Sequence, residues 1–254
     1  SSQPAISTVR TLSYNPPAGG TTRWVDGSAA TEGSGTSVSP FKTISNAITQ
    51  SNAGDTIIVK AGNYDPFTIS KSGTASNYFV LKANPGDTVT ITGSSPNGIT
   101  VSADYWRIIG FQFASRSESS MVISSGQHHI YIEDTVTLDV GTGNVWGTGV
   151  VSTRGNNNNL FVLQNQMTKL TAGTIEIDGV FIQGADSHTI VVADNTISGP
   201  FWDGVGNAGN SFGNGLAENS DVARNTITGY QDDSIELDGS AVNLRVWGNK
   251  AGSN

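Results

Sequence analysis

The sequence predicts an all-β protein, namely a single right-handed parallel β-helix in which short strands coil around one core. Glycine and asparagine account for 31 and 22 of the 254 residues, whereas charged residues make up only 13%. A helical protein would be richer in Ala, Leu, Glu and Lys. Short apolar segments alternate with turn residues, which is typical of successive short strands. A segment that recurs at a fixed spacing then selects a solenoid among the all-β folds.

The recurring segment is an apolar strand that ends in an asparagine. Three copies follow one another at a constant 30-residue spacing, and the asparagine of a fourth follows after 24; they cover residues 161–167, 191–197, 221–227 and 244–249. A period of about 20 to 50 residues built of short strands indicates a solenoid, whose coils stack as parallel strands about 4.8 Å apart.

The repeated asparagines Asn165, Asn195 and Asn225 follow one strand and precede another, so we expect each of them in a tight bend. In such a bend the side-chain amide can bond the amide of the next coil and satisfy polar groups that would otherwise be buried without a partner. We therefore interpret these asparagines as structural.

The elements follow in order along one domain, residues 1–254. Residues 1–38 are rich in Ser, Thr, Gly and Pro and are expected to form an irregular leader. Residues 39–52 are expected to form a helix that caps the N-terminal end of the solenoid, with Ser39 as its N-cap and Pro40 in its first turn. The coils occupy residues 55–254, and their first strands are predicted at residues 56–60, 79–82, 89–92, 106–113 and 129–138.

The negative charge is concentrated in the last third of the chain. Residues 176–254 hold eleven acidic and three basic residues, which accounts for the whole net charge of −8. A nucleic-acid partner is not expected, because phosphate binding needs the opposite sign. Clustered carboxylates are either a solvated surface or the ligands that a hard cation prefers.

Other classes of protein are excluded by what the sequence lacks. No stretch approaches 18 apolar residues, so no membrane span is expected, and the absence of cysteine excludes disulfides and thiolate metal sites. The chain stops directly after a regular coil. Because an open solenoid end exposes unpaired backbone, we expect further chain or a stacking partner beyond residue 254.

The candidate site is a group of acids on three successive coils. The alternation of side chains along a strand points Glu236 to solvent. The 30-residue spacing stacks Asp203 on Asp233 and places Gly206 beside Glu236. The same spacing places Glu176 in this column, two coils before Glu236.

Stacked acids of this kind have two physical uses. Carboxylates within about 4–6 Å repel one another, so the pair can serve as acid and base or can share a divalent cation. The tandem Asp232 and Asp233, with Asp203 on the coil before, favours such a site. An ordinary solvated surface is the alternative interpretation, above all for Glu176, Asp178 and Asp238.

Several residues near the acids are candidates for binding a sugar ring, either through an aromatic face or through a carboxylate. They are Trp146, Trp202, Tyr230, Trp247 and Glu176. Packing into the core is the alternative interpretation for each of the aromatic residues.

Residues 39–44, 53–64 and 71–77 resemble the opening of secreted β-helix polysaccharide lyases, in particular polysaccharide lyase family nine. The resemblance covers roughly residues 22–95. It implies the β-helix fold, a location outside the cell or at its surface, and an acidic polysaccharide as substrate.

The same family implies a Ca²⁺ site. Its members hold the ion with a tandem Asp-Asp, a third acid three positions later and an aspartate from the previous coil. Asp232, Asp233, Glu236 and Asp203 are similar to this pattern, although the family has aspartate where Glu236 stands. The family's catalytic base is a lysine on a later coil. Lys250 and Arg245 are the residues that follow the cluster here.

The segment also resembles polygalacturonases, since residues 202–205 and 231–234 are similar to two of their motifs. Those hydrolases use three aspartates in an inverting reaction, for which Asp203, Asp232 and Asp233 would be the counterparts. Their downstream Gly-His-Gly and Arg-x-Lys motifs are missing.

Three hypotheses follow. The first is a Ca²⁺-dependent lyase that cleaves a uronate-containing glycan by β-elimination. The second is an inverting glycoside hydrolase of the polygalacturonase type. The third is a non-catalytic β-helix that serves as a structural or glycan-binding part of a larger surface assembly.

Overall fold

The computed structural model describes residues 17–184, 187–207, 218–239 and 243–252. These residues form one helix, Ile44–Gln50, and 23 short strands that pair in parallel within three sheets. The chain passes from sheet I to sheet II to sheet III and back, so each circuit is one coil of a right-handed β-helix. No helix among the described residues has the length and apolar character that crossing a membrane requires.

Each sheet is a stack of strands from successive coils. The described strands of sheet I are Thr22–Val25, Thr56–Val59, Phe79–Ala83, Trp106–Ile109, His128–Glu133, Asn158–Leu163, His188–Ala193, Asp221–Ala223 and Arg245–Trp247. Those of sheet II are Gly62–Tyr64, Val89–Ile91, Gln112–Phe113, Val136–Leu138, Gln166–Thr168, Thr196–Ser198, Thr226–Thr228 and Lys250–Gly252. Those of sheet III are Phe67–Ile69, Ile99–Val101, Met121–Ile123, Thr148–Thr153, Ile177–Ile182 and Val205–Asn207.

The strand register in sheet I confirms the repeat. Phe161 pairs with Val191, Val191 with Asp221, and Asp221 with Arg245, so the aligned segments of the sequence lie side by side. Inward-facing valines and isoleucines from all three sheets fill the interior. Ile132, for example, is fully buried within its strand. Burial of these stacked side chains is the main stabilising contribution to the fold.

The asparagines form a buried ladder at the bend between sheets I and II, as the sequence predicts. The side-chain oxygen of Asn195 accepts hydrogen bonds from the backbone N–H and the side-chain amide of Asn165, at 2.9 and 3.0 Å. The side-chain amide of Asn195 donates to the carbonyl oxygen of Val162 on the coil before at 2.9 Å, and the side-chain amide of Asn225 donates to that of Val192 in the same way, at 2.9 Å. The ladder therefore satisfies backbone groups that the bend removes from the sheets.

The helix is shorter than predicted. It begins after Thr43, whose hydroxyl accepts the backbone N–H of Asn46 at 3.2 Å, so Thr43 and not Ser39 is the N-cap. The predicted start was wrong because Phe41 exchanges backbone hydrogen bonds with the strand Thr22–Val25 and its neighbour Asp26, which holds this segment extended. The strand Thr22–Val25 also corrects the prediction of an irregular leader, since it begins sheet I.

Two predicted strands are each divided by a bend. Residues 106–113 contain separate strands of sheets I and II on either side of Gly110, which has a φ of 79°. Residues 129–138 are divided in the same way at Asp134, with a φ of 53°. The apolar pattern continues through both bends, and for this reason hydrophobicity alone does not show them.

Candidate functional site

Acidic residues from three coils meet at the turn that leads from sheet II into sheet III. Asp178 lies in the strand Ile177–Ile182, and Asp203 lies just before the strand Val205–Asn207. Asp233 lies in the same place on the following coil. Its backbone N–H donates a hydrogen bond of 2.8 Å to the carboxylate of Asp203, so the two residues are neighbours, as the repeat predicts.

The register of sheet III produces this stack. Val180 pairs with Val205, and Val205 forms a bridge with Ile235. An acid lies two positions before each of these residues, so the three acids follow one another along the solenoid. The step from Val180 to Val205 is shorter than the regular repeat. Because of this shorter step, Gly206 pairs with Phe181 and not with Glu176. The prediction that Glu176, Gly206 and Glu236 stack in one column is therefore wrong.

Asp178 is the most deeply buried acid of the group. Its side chain is fully buried, and its Oδ1 accepts the backbone N–H of Asp203 at 3.2 Å. Its Oδ2 is buried and has no hydrogen-bond partner in the described part of the chain. Burial raises the pKa of Asp178 well above its ordinary value, and the carboxylates of Asp203 and Glu176 raise it further. The site therefore holds an acid whose ionised form needs a partner.

Asp203 lies between the coils of Asp178 and Asp233 and is also buried. Burial raises the pKa of Asp203 to about 7, although the hydrogen bond from the Asp233 backbone opposes the shift. The charges of Glu236 and Asp232 contribute to the increase. Near neutral pH this carboxyl can therefore gain or lose a proton.

Glu176 completes a close triad with these two aspartates. Each of the three residues offers a carboxylate oxygen that lies within 4.8 Å of the other two. Glu176 also accepts a hydrogen bond of 2.7 Å from the indole N–H of Trp146. Burial raises the pKa of Glu176, and the charge of Asp232 adds to this effect.

The remaining predicted ligands surround the triad on its C-terminal side. Asp232 and Asp233 are exposed, whereas Glu236 is half-buried. The carboxylate of Glu236 accepts the backbone N–H of Asn207 at 3.5 Å. Burial raises the pKa of Glu236, and the charges of Glu176 and other nearby acids add to it. In the described part of the chain, these three acids form no second set as close as the triad.

Gly206 makes room for the buried carboxylates. A Cβ atom at this position would lie 2.2 Å from Oδ2 of Asp178 and 3.1 Å from Oδ2 of Asp203. The spacing in the sequence places Gly206 beside Glu236. The structure shows that the missing side chain leaves space for the carboxylates of Asp178 and Asp203.

Among the residues that the structure describes, no lysine or arginine forms an ion pair with the acids of the site. None of the ion pairs among the described residues joins a lysine or an arginine to Glu176, Asp178, Asp203, Asp232, Asp233 or Glu236. Such pairs occur elsewhere, as between Arg107 and Glu133 at 2.7 Å. Uncompensated charge is costly when it is buried, so this arrangement favours protonation or a bound cation.

The two candidate bases lie on other faces of the solenoid. Arg245 is in sheet I, where its guanidinium binds the carboxylate of Asp221 and this contact raises the pKa of Arg245. Lys250 is exposed in sheet II, in the strand that pairs with Thr226–Thr228. No contact in the described part of the chain joins either residue to the acids.

The predicted aromatic residues are also separated. Trp247 lies in sheet I beneath Arg224, and its indole N–H donates to Asp221 at 3.3 Å. Tyr230 packs against the core, as the alternative interpretation proposed. Trp202 is half-buried next to Asp203. Trp146 is the aromatic residue that contacts the triad directly.

The sequence interpretation of Asp178 as a surface acid is wrong, although a signal of its position is present. Asp178, Gly179 and Val180 repeat as Asp203, Gly204 and Val205. This repeat is shorter than the one that relates the asparagines, so a search at constant spacing does not find it.

Comparison with known proteins gives the family. The model of the Pel9A-like right-handed β-helix region matches residues 24–179, which is more than half of the chain. The chain belongs to the Pel9A-like β-helix family. Glu176 and Asp178 lie at the end of the matched region, and the other acids of the site follow it.

Individual relatives of this Pel9A-like chain are enzymes of polysaccharide breakdown. The pectate lyase PEL9 of Emericella nidulans is 36% identical over 84 residues, which are 32% of this chain and 20% of that enzyme. The chain thus matches about one fifth of the length of this curated relative.

Two solved structures share the fold of the Pel9A-like chain. The crystal structure of pectate lyase Pel9A superposes with a TM-score of 0.61 and 12% identity, over 94% of this chain and 80% of that one. A rhamnogalacturonan lyase superposes with a TM-score of 0.58 and 14% identity, over 83% and 69%. Because both structures are less than 25% identical to this chain, their similarity establishes the β-helix architecture alone.

Proposed function

We propose that this chain belongs to a Ca²⁺-dependent polysaccharide lyase that acts outside the cell or at its surface and cleaves a uronate-containing glycan by β-elimination. The observation that carries the proposal is the stack of acids at the start of sheet III, which has two buried members and no cationic partner in the described residues. The names of the relatives, which are pectate and rhamnogalacturonan lyases, support the substrate class.

The donor set fits calcium. All the donors are carboxylate oxygens, which are the ligands that Ca²⁺ prefers, and one buried oxygen of Asp178 lacks a partner among the described residues. Asp203, Asp232, Asp233 and Glu236 would hold the ion, with the buried Asp178 and the half-buried Glu176 behind them. When bound, Ca²⁺ supplies positive charge that binds a uronate carboxylate and acidifies the proton α to it.

The chain's own residues would then position the sugar, and a base would move the proton. The base takes the proton from C5 of the uronate, the electron pair forms the C4–C5 double bond, and the C4–O bond breaks as the leaving oxygen gains a proton. Lys250, the base that the resemblance implies, lies in sheet II away from the acids, so the proposal assigns the proton transfer to no described residue. Arg245 is the weaker candidate, because an arginine rarely loses its proton and this one is bound to Asp221.

One observation favours the hydrolase as a second candidate. A carboxyl with a pKa of about 7, as in Asp203, suits a general acid. Glu176 and Asp178 do not suit the role of the hydrolase's base, because inverting hydrolases place their two carboxyl groups about 6.5–9.5 Å apart to admit a water, and the oxygens of these two residues lie within 4.8 Å of one from Asp203. Asp232 or Asp233 would therefore have to activate the water.

Digestion of polygalacturonate separates these functions. The lyase forms unsaturated ends that absorb in the ultraviolet, and we expect this product with Ca²⁺ and none with a chelator. Reducing ends without ultraviolet absorbance, formed in chelator, would identify the hydrolase. Retention of the polymer without either product would identify a binding module.

Variants link the activity to the acids. Asp203→Asn and Asp232→Asn are expected to abolish the calcium-dependent product, whereas Lys250→Ala tests the base that the resemblance implies and, from its place in sheet II, is expected to keep the parent's rate. Asp238→Asn is the matched control, because Asp238 is an exposed acid of the same coil as Asp232. Full activity of Asp203→Asn would contradict the proposal.

A further inference from the structure

Trp146 combines exposure with a fixed orientation. Its side chain is 52% exposed, yet its indole N–H is held by Glu176 at 2.7 Å. The indole also packs edge-to-face on the buried ring of Phe181, with a centroid distance of 5.5 Å and an interplanar angle of 81°. An exposed aromatic ring that rotates freely loses entropy when it binds a ligand, whereas one that is already held loses little.

The backbone around Trp146 is held as firmly as the ring. The carbonyl oxygen of Val145 accepts the hydroxyl of Thr148 at 2.8 Å. The carbonyl oxygen of Gly147 accepts the guanidinium of Arg154 at 2.8 Å. The turn therefore presents the indole in one position.

The turn of the next coil is joined to this one beside a cavity. Asn144 donates through its side-chain amide to the hydroxyl of Thr174 at 2.8 Å and accepts the backbone N–H of Thr174 at 3.3 Å. Both residues line a cavity of about 330 Å³, together with Gly141 and Gly173. The two turns thus form a recess, with Trp146 two positions after Asn144.

The carboxylate of Glu176 links the indole of Trp146 to the acidic stack. Trp146 binds Glu176, and a carboxylate oxygen of Glu176 lies within 4.8 Å of one from Asp203. Trp146 precedes the strand that pairs with Ile177–Ile182, so it lies on the coil before that of Glu176, toward the N-terminal end of the solenoid from Asp203.

A pyranose ring suits these surroundings. It has an apolar face of C–H groups that can lie on an indole and hydroxyl groups at its edge that can bond carboxylate, amide and hydroxyl side chains. We propose that Trp146 is the stacking platform of a sugar-binding subsite, which takes the ring of an acidic glycan next to the one bound at the acids. This inference rests on the proposed function for its substrate class.

The test compares variants of the 254-residue chain by affinity electrophoresis in gels that contain polygalacturonate and Ca²⁺, and by KM and kcat where product forms. Trp146→Ala is expected to lose most of the retardation and to raise KM about tenfold with a smaller change in kcat, as for the loss of one stacked ring. Trp146→Phe keeps an aromatic ring but loses the hydrogen bond to Glu176. We expect its retardation and its KM to lie between those of the parent and those of Trp146→Ala.

Leu138→Ala is the matched control, because Leu138 lies on the same coil and is 54% exposed. It should behave as the parent. Trp247→Ala tests the competing prediction from sequence and should also behave as the parent, since Trp247 lies in sheet I.

The possible outcomes separate this inference from the proposed function. Retardation without product in the parent removes the lyase, and loss of that retardation in Trp146→Ala still supports the subsite. Equal retardation and KM in the parent and Trp146→Ala overturn the subsite while the lyase stands. A larger loss in Leu138→Ala or Trp247→Ala, or no retardation of the parent by polygalacturonate, also overturns it.

Discussion

The backbone N–H of Asp233 donates a hydrogen bond of 2.8 Å to Oδ1 of Asp203, thirty positions earlier in the chain. The same kind of hydrogen bond joins Asp203 to the coil before, where its backbone N–H donates to Oδ1 of Asp178 over a longer distance of 3.2 Å. The carboxylates are therefore held by the backbone of the following coil. In this way the regular rise of the solenoid places like charges together, and the charges themselves oppose that arrangement.

Stability in chelator should fall as the pH rises from about 4 to 8. The pKa of Asp203 is raised to about 7, so the folded state retains a proton that the unfolded chain releases near pH 4. The raised pKa therefore has no effect on the free energy of unfolding below pH 4. Above pH 7 it lowers the free energy of unfolding by its full amount, up to about 4 kcal/mol. Asp203→Asn should reduce the fall in the free energy of unfolding between pH 5 and pH 8, as measured by urea unfolding, and the part that remains comes from the raised pKa values of Asp178, Glu176 and Glu236. Asp238→Asn should keep the parent's slope, and an unchanged slope in Asp203→Asn would remove the explanation.

Calcium should stabilise the chain at pH 8. A ligand that binds only the folded state at one hundred times its Kd adds about 2.7 kcal/mol, which corresponds to roughly 5–10 °C in Tm for a chain of this size. The stabilisation should vanish in Asp203→Asn and persist in Asp238→Asn, as measured by differential scanning calorimetry with and without chelator. A parent whose Tm ignores millimolar Ca²⁺ would speak against the ion site.

Gly206→Ala should destabilise the fold by about 2 kcal/mol or more, because the new methyl group collides with the carboxylates of Asp178 and Asp203. The double variant Gly206→Ala with Asp178→Ala should recover part of the loss, since it removes the nearer carboxylate. Gly19→Ala is the control, as nothing lies within 4 Å of its added methyl group. Equal effects of the single and double variants in denaturant titration would argue against the collision.

Asn195→Ala should lower the free energy of unfolding by about 3–5 kcal/mol, because it leaves a backbone N–H and a carbonyl oxygen buried without partners. Asn249→Ala should cost less, since the bonds that Asn249 makes are only partly buried. The difference between the two variants in urea midpoint measures the contribution of burial. A smaller loss for Asn195→Ala than for Asn249→Ala would contradict the structural role of the ladder.

The fold was largely predictable because it repeats. Each asparagine of the ladder has the same neighbours, so three copies at constant spacing define sheets I and II and the bend between them. The exceptions are local. Thr43 replaces Ser39 as the N-cap because Phe41 pairs with the first strand, and tertiary contacts of that kind leave no periodic signal.

The site was predictable only in part, because it lies where the repeat changes length. Asp203 and Asp233 keep the regular spacing, and the prediction that they are neighbours is confirmed by their hydrogen bond. Asp178 and Asp203 are closer together in the sequence than this spacing, so Asp178, the most deeply buried acid of the stack, is interpreted from the sequence as a surface acid. Trp146 was a candidate among several, and its contact with Glu176 depends on a turn whose conformation the apolar pattern does not specify.

The shorter step in sheet III has a wider consequence. In sheets I and II the strands of neighbouring coils keep the regular spacing. The turn before Val205–Asn207 is therefore shorter than the turn of the coil before, and the segment after this strand is correspondingly longer. The register of the strands in sheets I and II does not change. Insertions and deletions in these turns can thus change which side chains on adjacent coils are neighbours, while the packing of the interior is kept. A β-helix of this kind can acquire new specificities when one turn becomes shorter and another becomes longer. Libraries of variants that differ in turn length would test this directly.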